Sequence, residues 1–228
     1  MSWIAHTGAQ EEFLQRSEYE VLFGGAAGPG KTDCLIAALT RYVEYPDYHG
    51  LILRRTFPQL QEIIDRCHDH YPKMGGVFKV GDKRWDFPSG SKIDLGHMQH
   101  ENDKYNYQGK EFHLVGFDEL TQFTQTQYTY LANSRVRTTN PKIIPQVLST
   151  TNPGGIGHNW VKDRWQPEER ALKTYHDPKT GLSRVFIPGT IEDNPTLYEN
   201  DPAYLARLEA LPEIERRSEE HTSELQSR

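Results

Sequence analysis

The chain is poor in cysteine and has no long apolar run, and each absence excludes a class of protein. Its 228 residues include two cysteines, and neither has cysteine or histidine neighbours at the spacing of zinc ligands. This excludes a disulfide framework and a structural zinc site. No stretch approaches the roughly twenty apolar residues of a membrane helix, and the first residues lack a secretory layout. We therefore expect a soluble intracellular protein.

Positive charge is also in short supply. Lysine and arginine number 26 against 32 aspartates and glutamates, a formal net charge of −6. Proteins that bind nucleic acid constantly and strongly carry an excess of positive charge. The composition argues against a protein of that kind, so a DNA partner would have to be held locally or transiently.

The most informative segment is a glycine-rich stretch at residues 25–32. It reads Gly25-Ala26-Ala27-Gly28-Pro29-Gly30-Lys31-Thr32 and fits the pattern G-x-x-x-x-G-K-[ST]. An apolar run precedes it and a helix-like segment follows, which is the context that a phosphate-binding loop requires. Lys31 would pair with the β- and γ-phosphates, and Thr32 would offer its hydroxyl to Mg²⁺. The alternative is a strand-to-helix turn that binds nothing.

Strands and helices alternate along the chain. The predicted strands are residues 20–23, 51–53, 112–117 and 143–148, the predicted helices are 32–43 and 58–70, and short hairpin strands at a sheet edge are predicted at 77–80, 84–87 and 93–95. This order predicts an α/β fold with a mostly parallel central sheet and helices on both faces. Such sheets bind ligands at the carboxyl ends of their strands.

Two carboxylates, Asp118 and Glu119, follow the predicted strand 112–117. In ATPases with a phosphate loop, an aspartate here holds Mg²⁺ through its water shell and a following glutamate polarises the attacking water. We assign Asp118 to the metal, and Glu119 and Lys31 to catalysis. This places the chain among P-loop NTPases of the catalytic-glutamate, or ASCE-like, type. Taken alone, the pair could be an ordinary solvated acidic pair.

Small polar side chains follow the predicted strand 143–148, in the order Ser149-Thr150-Thr151-Asn152. Such groups can bond to a terminal phosphate or its attacking water, and the glycines after them permit movement when that bond is lost. We interpret Thr150, Thr151 and Asn152 as nucleotide-binding residues that couple hydrolysis to motion. Taken alone, the segment could be a polar turn.

With these three motifs in order, the chain resembles the ATPase domain of the large terminase subunit, the motor that packages DNA into the heads of tailed bacteriophages. The resemblance is carried by residues 24–32, 109–119, 149–153, 186–188, 193–195 and 204–212, and it covers most of residues 6–216. It implies ATP and Mg²⁺ as cofactors and double-stranded DNA as the cargo. It also implies the portal protein, the small terminase subunit and further copies in a ring as partners, in the host cell cytoplasm and away from membranes.

The resemblance assigns further residues. Gln10 fits the glutamine with which the family reads adenine, and Gly25, Gly28 and Gly30 would surround the phosphates. Many terminases place an arginine inside the phosphate loop, whereas this chain has two alanines there. An arginine that stabilises the transferred charge would therefore come from elsewhere, with Arg54, Arg55, Arg135 and Arg137 as candidates. We choose Arg135 and Arg137 as the possible arginine finger of a neighbouring subunit.

Cations interspersed with aromatic residues are candidates for contact with the DNA backbone. They are Lys104, Tyr105, Tyr107, Lys110, Arg135, Arg137, Lys142, Lys162 and Arg164. The alternative is an ordinary surface with scattered charges.

Two other kinds of protein stay open. One is a helicase-like P-loop ATPase that depends on nucleic acid, which stimulation by single-stranded DNA would favour. The other is a non-catalytic assembly subunit gated by ATP, which would bind the nucleotide without turning it over.

We divide the chain into an ATPase core at residues 1–183, a C-terminal part of the ATPase region at 184–216 and a tail at 217–228. The eleven residues 217–227 match the translation of a widely used sequencing adapter in one frame. We therefore expect the tail to be an artefact of sequence assembly. The nuclease domain that follows the ATPase domain in this family would then be missing, and we expect no DNA cleavage.

Overall fold

The computed structural model of the chain describes residues 4–25, 28, 30–201 and 203. Its strands are β1 Glu20–Gly25, β2 His49–Arg54, β3 Val77–Lys79, β4 Arg84–Asp86, β5 Lys92–His97, β6 Leu114–Phe117, β7 Gln146–Thr151, β8 Tyr175–His176 and β9 Ser183–Gly189. Its α-helices are α1 Ala9–Gln15, α2 Lys31–Ala38, α3 Phe57–His70, α4 Gln125–Ser134, α5 His158–Trp165, α6 Pro167–Arg170 and α7 Pro195–Asn200. In this part of the chain no helix has the length and apolarity to cross a membrane.

All of these strands form one sheet in the order β3-β4-β5-β2-β6-β7-β1-β9-β8. The strands from β5 to β9 in that order run parallel, and antiparallel partners lie at both edges. The predicted mostly parallel sheet with hairpin strands at an edge is confirmed. Strand β7 lies between β1, which leads into the phosphate loop, and β6, which leads into Asp118.

Helices cover both faces of the sheet, as predicted. Alternate residues of β1 point to opposite faces, so that Phe23 joins one apolar cluster and Leu22 the other. The first cluster contains residues of α2 and α3, and the second contains residues of α4 and α5. Because each parallel strand is covered on both sides, the carboxyl ends of the strands are left as the accessible edge.

Helix α5 is fixed to the amino end of β1 by a buried ion pair. Arg164 donates from Nε and Nη2 to the two carboxylate oxygens of Glu20, each at 2.7 Å. Tyr128 of α4 donates its hydroxyl to the same carboxylate at 2.9 Å. Glu20 is 1% exposed, so Arg164, predicted as a candidate for DNA contact, is used inside the fold instead.

Most predicted elements agree with the structure to within about two residues, and two differ by more. Helix α2 ends at Ala38, before the predicted residue 43, because the next residues turn more tightly: the amides of Thr40 and Val43 bond to carbonyls three residues back. Strand β7 starts at Gln146, after Pro145, and extends through Thr151. Proline has no N–H to donate to the ladder, and the polar residues that follow pair with β1.

Strand β9 was not predicted. It pairs with β1 over Glu20 to Gly25, so the central sheet continues past residue 183. The run Arg184-Val185-Phe186-Ile187 carried the signal, since β-branched and aromatic residues favour strands.

Candidate active site

The glycines at the two ends of the phosphate loop are required by its backbone. Gly25 closes β1 with φ of 137°, and a Cβ there would lie 2.0 Å from the carbonyl oxygen of Gly189. Gly30 has φ of 74° immediately before α2, and a Cβ there would lie 2.9 Å from Nε2 of Gln10. A side chain at Gly25 would clash with the backbone of Gly189, and one at Gly30 would require a left-handed backbone that strains any residue other than glycine.

Lys31 begins α2 and is 6% exposed. Its Nζ donates to the carbonyl oxygen of Gly25 at 3.3 Å and to Oδ1 of Asn152 at 2.7 Å. The ammonium therefore lies between the start of the phosphate loop and the end of β7. A cation in this position can pair with the phosphates of a nucleotide held by the loop.

Thr32 and Asp118, the two residues predicted to hold the metal, lie in contact. The Thr32 hydroxyl donates to Oδ1 of Asp118 at 3.0 Å, and Thr150 donates to the same oxygen at 2.6 Å. Asp118 is fully buried. Among the described residues no group of three or more histidines, cysteines or acids could hold a metal. Mg²⁺ bound with substrate phosphates needs only one or two carboxylates and prefers oxygen ligands, so this donor set fits it.

Glu119 lies beside Asp118 with left-handed backbone, φ of 59°, and both of its carboxylate oxygens are engaged. Oε1 accepts from Nδ2 of Asn152 at 3.0 Å, and Oε2 accepts from the backbone N–H of Asn152 at 3.3 Å. Burial and the negative charge of Asp118 raise the pKa of Glu119, against the opposing charges of Lys31 and Arg54. A carboxylate with raised pKa is a stronger base than an exposed one.

The three polar residues predicted to couple hydrolysis to motion do not all point to the same side of the sheet. Thr150 contacts Asp118, and Asn152 bridges Lys31 and Glu119. Thr151 instead donates to Oγ1 of Thr121 at 3.2 Å. Successive residues of a strand point to opposite faces, so the structure places Thr151 away from the other two, where it fastens β7 to the turn after Glu119.

Gln10 lies against the phosphate loop. It is 2% exposed, and its Nε2 donates to the carbonyl oxygen of Asp193 at 3.1 Å. The next residue, Asn194, donates from Nδ2 to the carbonyl oxygen of Gly28 at 2.6 Å. Asn194 was not predicted as a site residue, although the Asp-Asn-Pro sequence after an apolar run marked a structured turn.

The two arginines that follow each other at the end of β2 have different partners. Nε of Arg54 lies 2.9 Å from Oδ2 of Asp118, so Arg54 is part of the site. Nη1 of Arg55 donates to Oε1 of Gln127 at 2.7 Å, outside the site. Arg54 was one of four candidate arginines but was not the one chosen.

Arg135 and Arg137 lie at the other end of β6. The backbone N–H of Phe112 donates to the carbonyl of Arg135, and that of Arg137 donates to the carbonyl of Phe112. Phe112 precedes the strand, whereas Asp118 follows it. Arg137 pairs with Glu111. Neither arginine contacts the site of its own chain, and their role in a neighbouring subunit stays a prediction.

The family model described as "Terminase large subunit, T4likevirus-type, N-terminal" matches residues 22–227. This chain belongs to that terminase family. The matched range includes residues 217–227, which lie outside the described residues. The interpretation of that tail as derived from an adapter stays a prediction.

Solved terminases share the fold. The large terminase of a thermophilic bacteriophage, in complex with ATP-gamma-S, has a TM-score of 0.68 at 13% identity over 94% of this chain and 51% of that one. The large terminase ATPase domain of Thermus phage P74-26, solved as a mutant, has a TM-score of 0.62 at 15% identity over 93% and 92%. The HK97 bacteriophage large terminase has a TM-score of 0.56 at 12% identity over 91% and 45%.

The chain thus spans about half the length of two of these terminases, and nearly all of the ATPase domain. No curated protein matches the chain. The P-loop fold predicted from the sequence is confirmed.

Proposed function

We propose that this chain hydrolyses ATP with Mg²⁺ and uses the energy to move double-stranded DNA into a phage head. One observation carries the proposal: Lys31, Thr32, Asp118 and Glu119 converge through hydrogen bonds at the carboxyl ends of β1, β6 and β7. These are the groups needed to bind a triphosphate, hold its metal and activate water. A thermophilic phage terminase of the same fold was solved with ATP-gamma-S and with ADP.

The binding step uses the loop and its neighbours. The backbone N–H groups of Gly28 and Gly30 and the N-terminus of α2 would bind the phosphates, and Lys31 would leave Asn152 to pair with the β- and γ-phosphates. Thr32 and Asp118 would hold Mg²⁺. When bound, the metal neutralises charge on the phosphates. Gln10, which lies beside Gly30, would contact the adenine.

The hydrolytic step uses Glu119. Its carboxylate takes the proton from a water molecule as the water oxygen bonds to the terminal phosphorus and the bond to the β-phosphate oxygen breaks. Burial favours this role because it raises the pKa of the carboxyl. Asn152 fixes the direction of both carboxylate oxygens.

The coupling step starts at Asn152. It contacts Lys31 and Glu119 at the end of β7, and the segment after it leads through glycines into α5. Loss of the terminal phosphate changes the contacts of Lys31 and therefore of Asn152. In this proposal the motor acts as a ring of copies with the portal protein and the small terminase subunit, in the host cell cytoplasm.

The rate of ATP hydrolysis, measured with and without double-stranded DNA, tests the proposal. We expect Mg²⁺-dependent turnover that double-stranded DNA stimulates more than single-stranded DNA does. Lys31→Ala serves as the inactive control. Preferential stimulation by single-stranded DNA would support a helicase-like enzyme instead, and binding without turnover would support an assembly subunit gated by ATP.

A further inference from the structure

Arg54 is a buried cation that the three sequence motifs leave without a role. It is the last residue of β2, next to β6, and is 8% exposed. Arginine is almost never buried to this degree without an anion. The anion here is Asp118, the same carboxylate that accepts from Thr32.

The contact leaves part of the guanidinium unused. Nε lies 2.9 Å from Oδ2 of Asp118, yet its N–H has no acceptor in hydrogen-bonding geometry among the described residues. The second contact, from Nη2 to Oε2 of Glu62, is 3.7 Å long, which is too long for a hydrogen bond. The pairing is therefore one of charge, and donors of a fork that suits phosphate stay available.

We propose that Arg54 contacts the terminal phosphate of ATP within its own chain, and that Asp118 holds it in place until the nucleotide arrives. The proposal rests on the function proposed above. The two oxygens of Asp118 have different nearest partners: Oδ1 accepts from the hydroxyls of Thr32 and Thr150 at 3.0 and 2.6 Å, whereas Oδ2 lies 2.9 Å from Nε of Arg54 and 3.3 Å from the Thr32 hydroxyl. With Mg²⁺ bound, Asp118 would also balance the charge of the metal, and the guanidinium of Arg54 would keep donors for an oxygen of the terminal phosphate.

This assignment predicts discrimination between nucleotides. ATP supplies a terminal phosphate for the arginine fork, whereas ADP does not, so Arg54 stays with Asp118 in the ADP-bound site. The contact would therefore strengthen the binding of a triphosphate and contribute little to the binding of a diphosphate. Arg54 would also respond within one chain to the presence of the γ-phosphate.

Calorimetric titration with ATP-gamma-S and with ADP, both with Mg²⁺, tests the proposal on wild-type protein, Arg54→Gln, Arg54→Lys and Arg55→Gln. We expect Arg54→Gln to bind ATP-gamma-S about tenfold more weakly, the worth of a charge-assisted hydrogen bond. Its affinity for ADP should change by less than about twofold. Arg54→Lys keeps the positive charge but lacks the planar fork of donors, so its affinity for ATP-gamma-S should lie between those of wild type and Arg54→Gln. Arg55→Gln is the matched control, because Arg55 bonds to Gln127 outside the site.

Equal losses for the two nucleotides would show that Arg54 only maintains the fold of the site and would overturn the proposal. So would an unchanged affinity for ATP-gamma-S. If Arg54→Gln does not fold, Arg54→Lys serves instead, because its ammonium still balances the charge of Asp118. The deciding quantity is the same: the loss of affinity for ATP-gamma-S relative to the loss for ADP. A wild-type chain that binds neither nucleotide would overturn the proposed function itself. If wild type binds both nucleotides and the variants keep its ratio of affinities for ATP-gamma-S and ADP, only the role of Arg54 is overturned.

Discussion

The side-chain amide of Asn152 donates to Oε1 of Glu119 at 3.0 Å while its Oδ1 accepts from Lys31 at 2.7 Å. One residue at the end of β7 thus joins the cation of the phosphate loop to the base that follows β6. Asn152 can make both contacts because β7 lies between β1 and β6. A change in the contacts of Lys31 therefore reaches Glu119 through a single side chain.

Replacing Asn152 should separate binding from catalysis. In Asn152→Ala the carboxylate of Glu119 keeps one backbone contact and loses its side-chain partner, so we expect kcat to fall about tenfold, the worth of one hydrogen bond to a charged group. Affinity for ATP-gamma-S should stay within about threefold. Ser149→Ala is a control on the same strand, because the buried Ser149 hydroxyl has no hydrogen-bond partner among the described residues. An Asn152→Ala chain with normal kcat would contradict this role.

Lys31→Ala should abolish hydrolysis and weaken triphosphate binding together. The ammonium neutralises β- and γ-phosphate charge in both the ground state and the transition state. Calorimetry with ATP-gamma-S and a phosphate-release assay measure the two effects. Lys79→Ala, at an exposed position of the edge strand β3, should change neither quantity; retained turnover in Lys31→Ala would exclude the loop from catalysis.

Glu119→Gln should bind ATP almost normally and turn it over about 10²–10⁴ times more slowly, the usual contribution of a positioned base. Glutamine keeps the size of the side chain and loses its basicity. Single-turnover hydrolysis separates chemistry from product release. Glu44→Gln changes an exposed carboxylate and should have wild-type rates. Near-wild-type hydrolysis in Glu119→Gln would remove the base from the mechanism.

A neighbouring subunit is expected to supply Arg135 or Arg137. Activity per chain should then rise with protein concentration. Mixing an Arg135→Ala, Arg137→Ala double variant with Lys31→Ala should restore hydrolysis, because only a shared interface can combine an intact loop with intact arginines. Each variant alone is the control. Full activity in dilute monomer would rule out the role in trans.

Asp94 predicts a pH dependence of stability. Burial raises the pKa of Asp94, but the contact with His49 and the charge of Lys110 outweigh it, so the pKa lies below its usual 3.8. A carboxyl group whose pKa is lower in the folded state stabilises the fold at pH values above its pKa in the unfolded chain. This stabilisation is lost as the pH falls through its pKa in the folded protein. Asp94→Asn should therefore unfold more easily than wild type near pH 7, by about 1 kcal/mol.

Urea unfolding of wild type and Asp94→Asn at several pH values measures this difference. The gap should close as the pH falls below about 3.8. Asp69→Asn, at an exposed position of α3, should follow wild type throughout. A gap independent of pH would mean that the substitution acts through packing and not through charge.

Local motifs made much of the site predictable. The phosphate loop, Asp118 and Glu119 each follow a strand along the chain, and the carboxyl ends of parallel strands meet at one edge. The direction of Thr151 was not predictable, because it depends on how far β7 extends, and a shift of one residue reverses every side chain. The contact of Arg54 with Asp118 depends on β2 lying next to β6, which is a property of topology and not of any local pattern.

The ion pair of Arg164 with Glu20 limits how the site can transmit force. Glu20 and Gly25 are the first and last residues of β1, so one rigid strand joins the phosphate loop to the far end of α5. Between Asn152 and α5 the chain passes through Gly154 and Gly155, both with positive φ. With α5 held at its end, we expect a displacement of Asn152 to be taken up at this glycine pair. In the proposed motor, the segment that follows Asn152 would then pivot about a helix whose far end is fixed to β1.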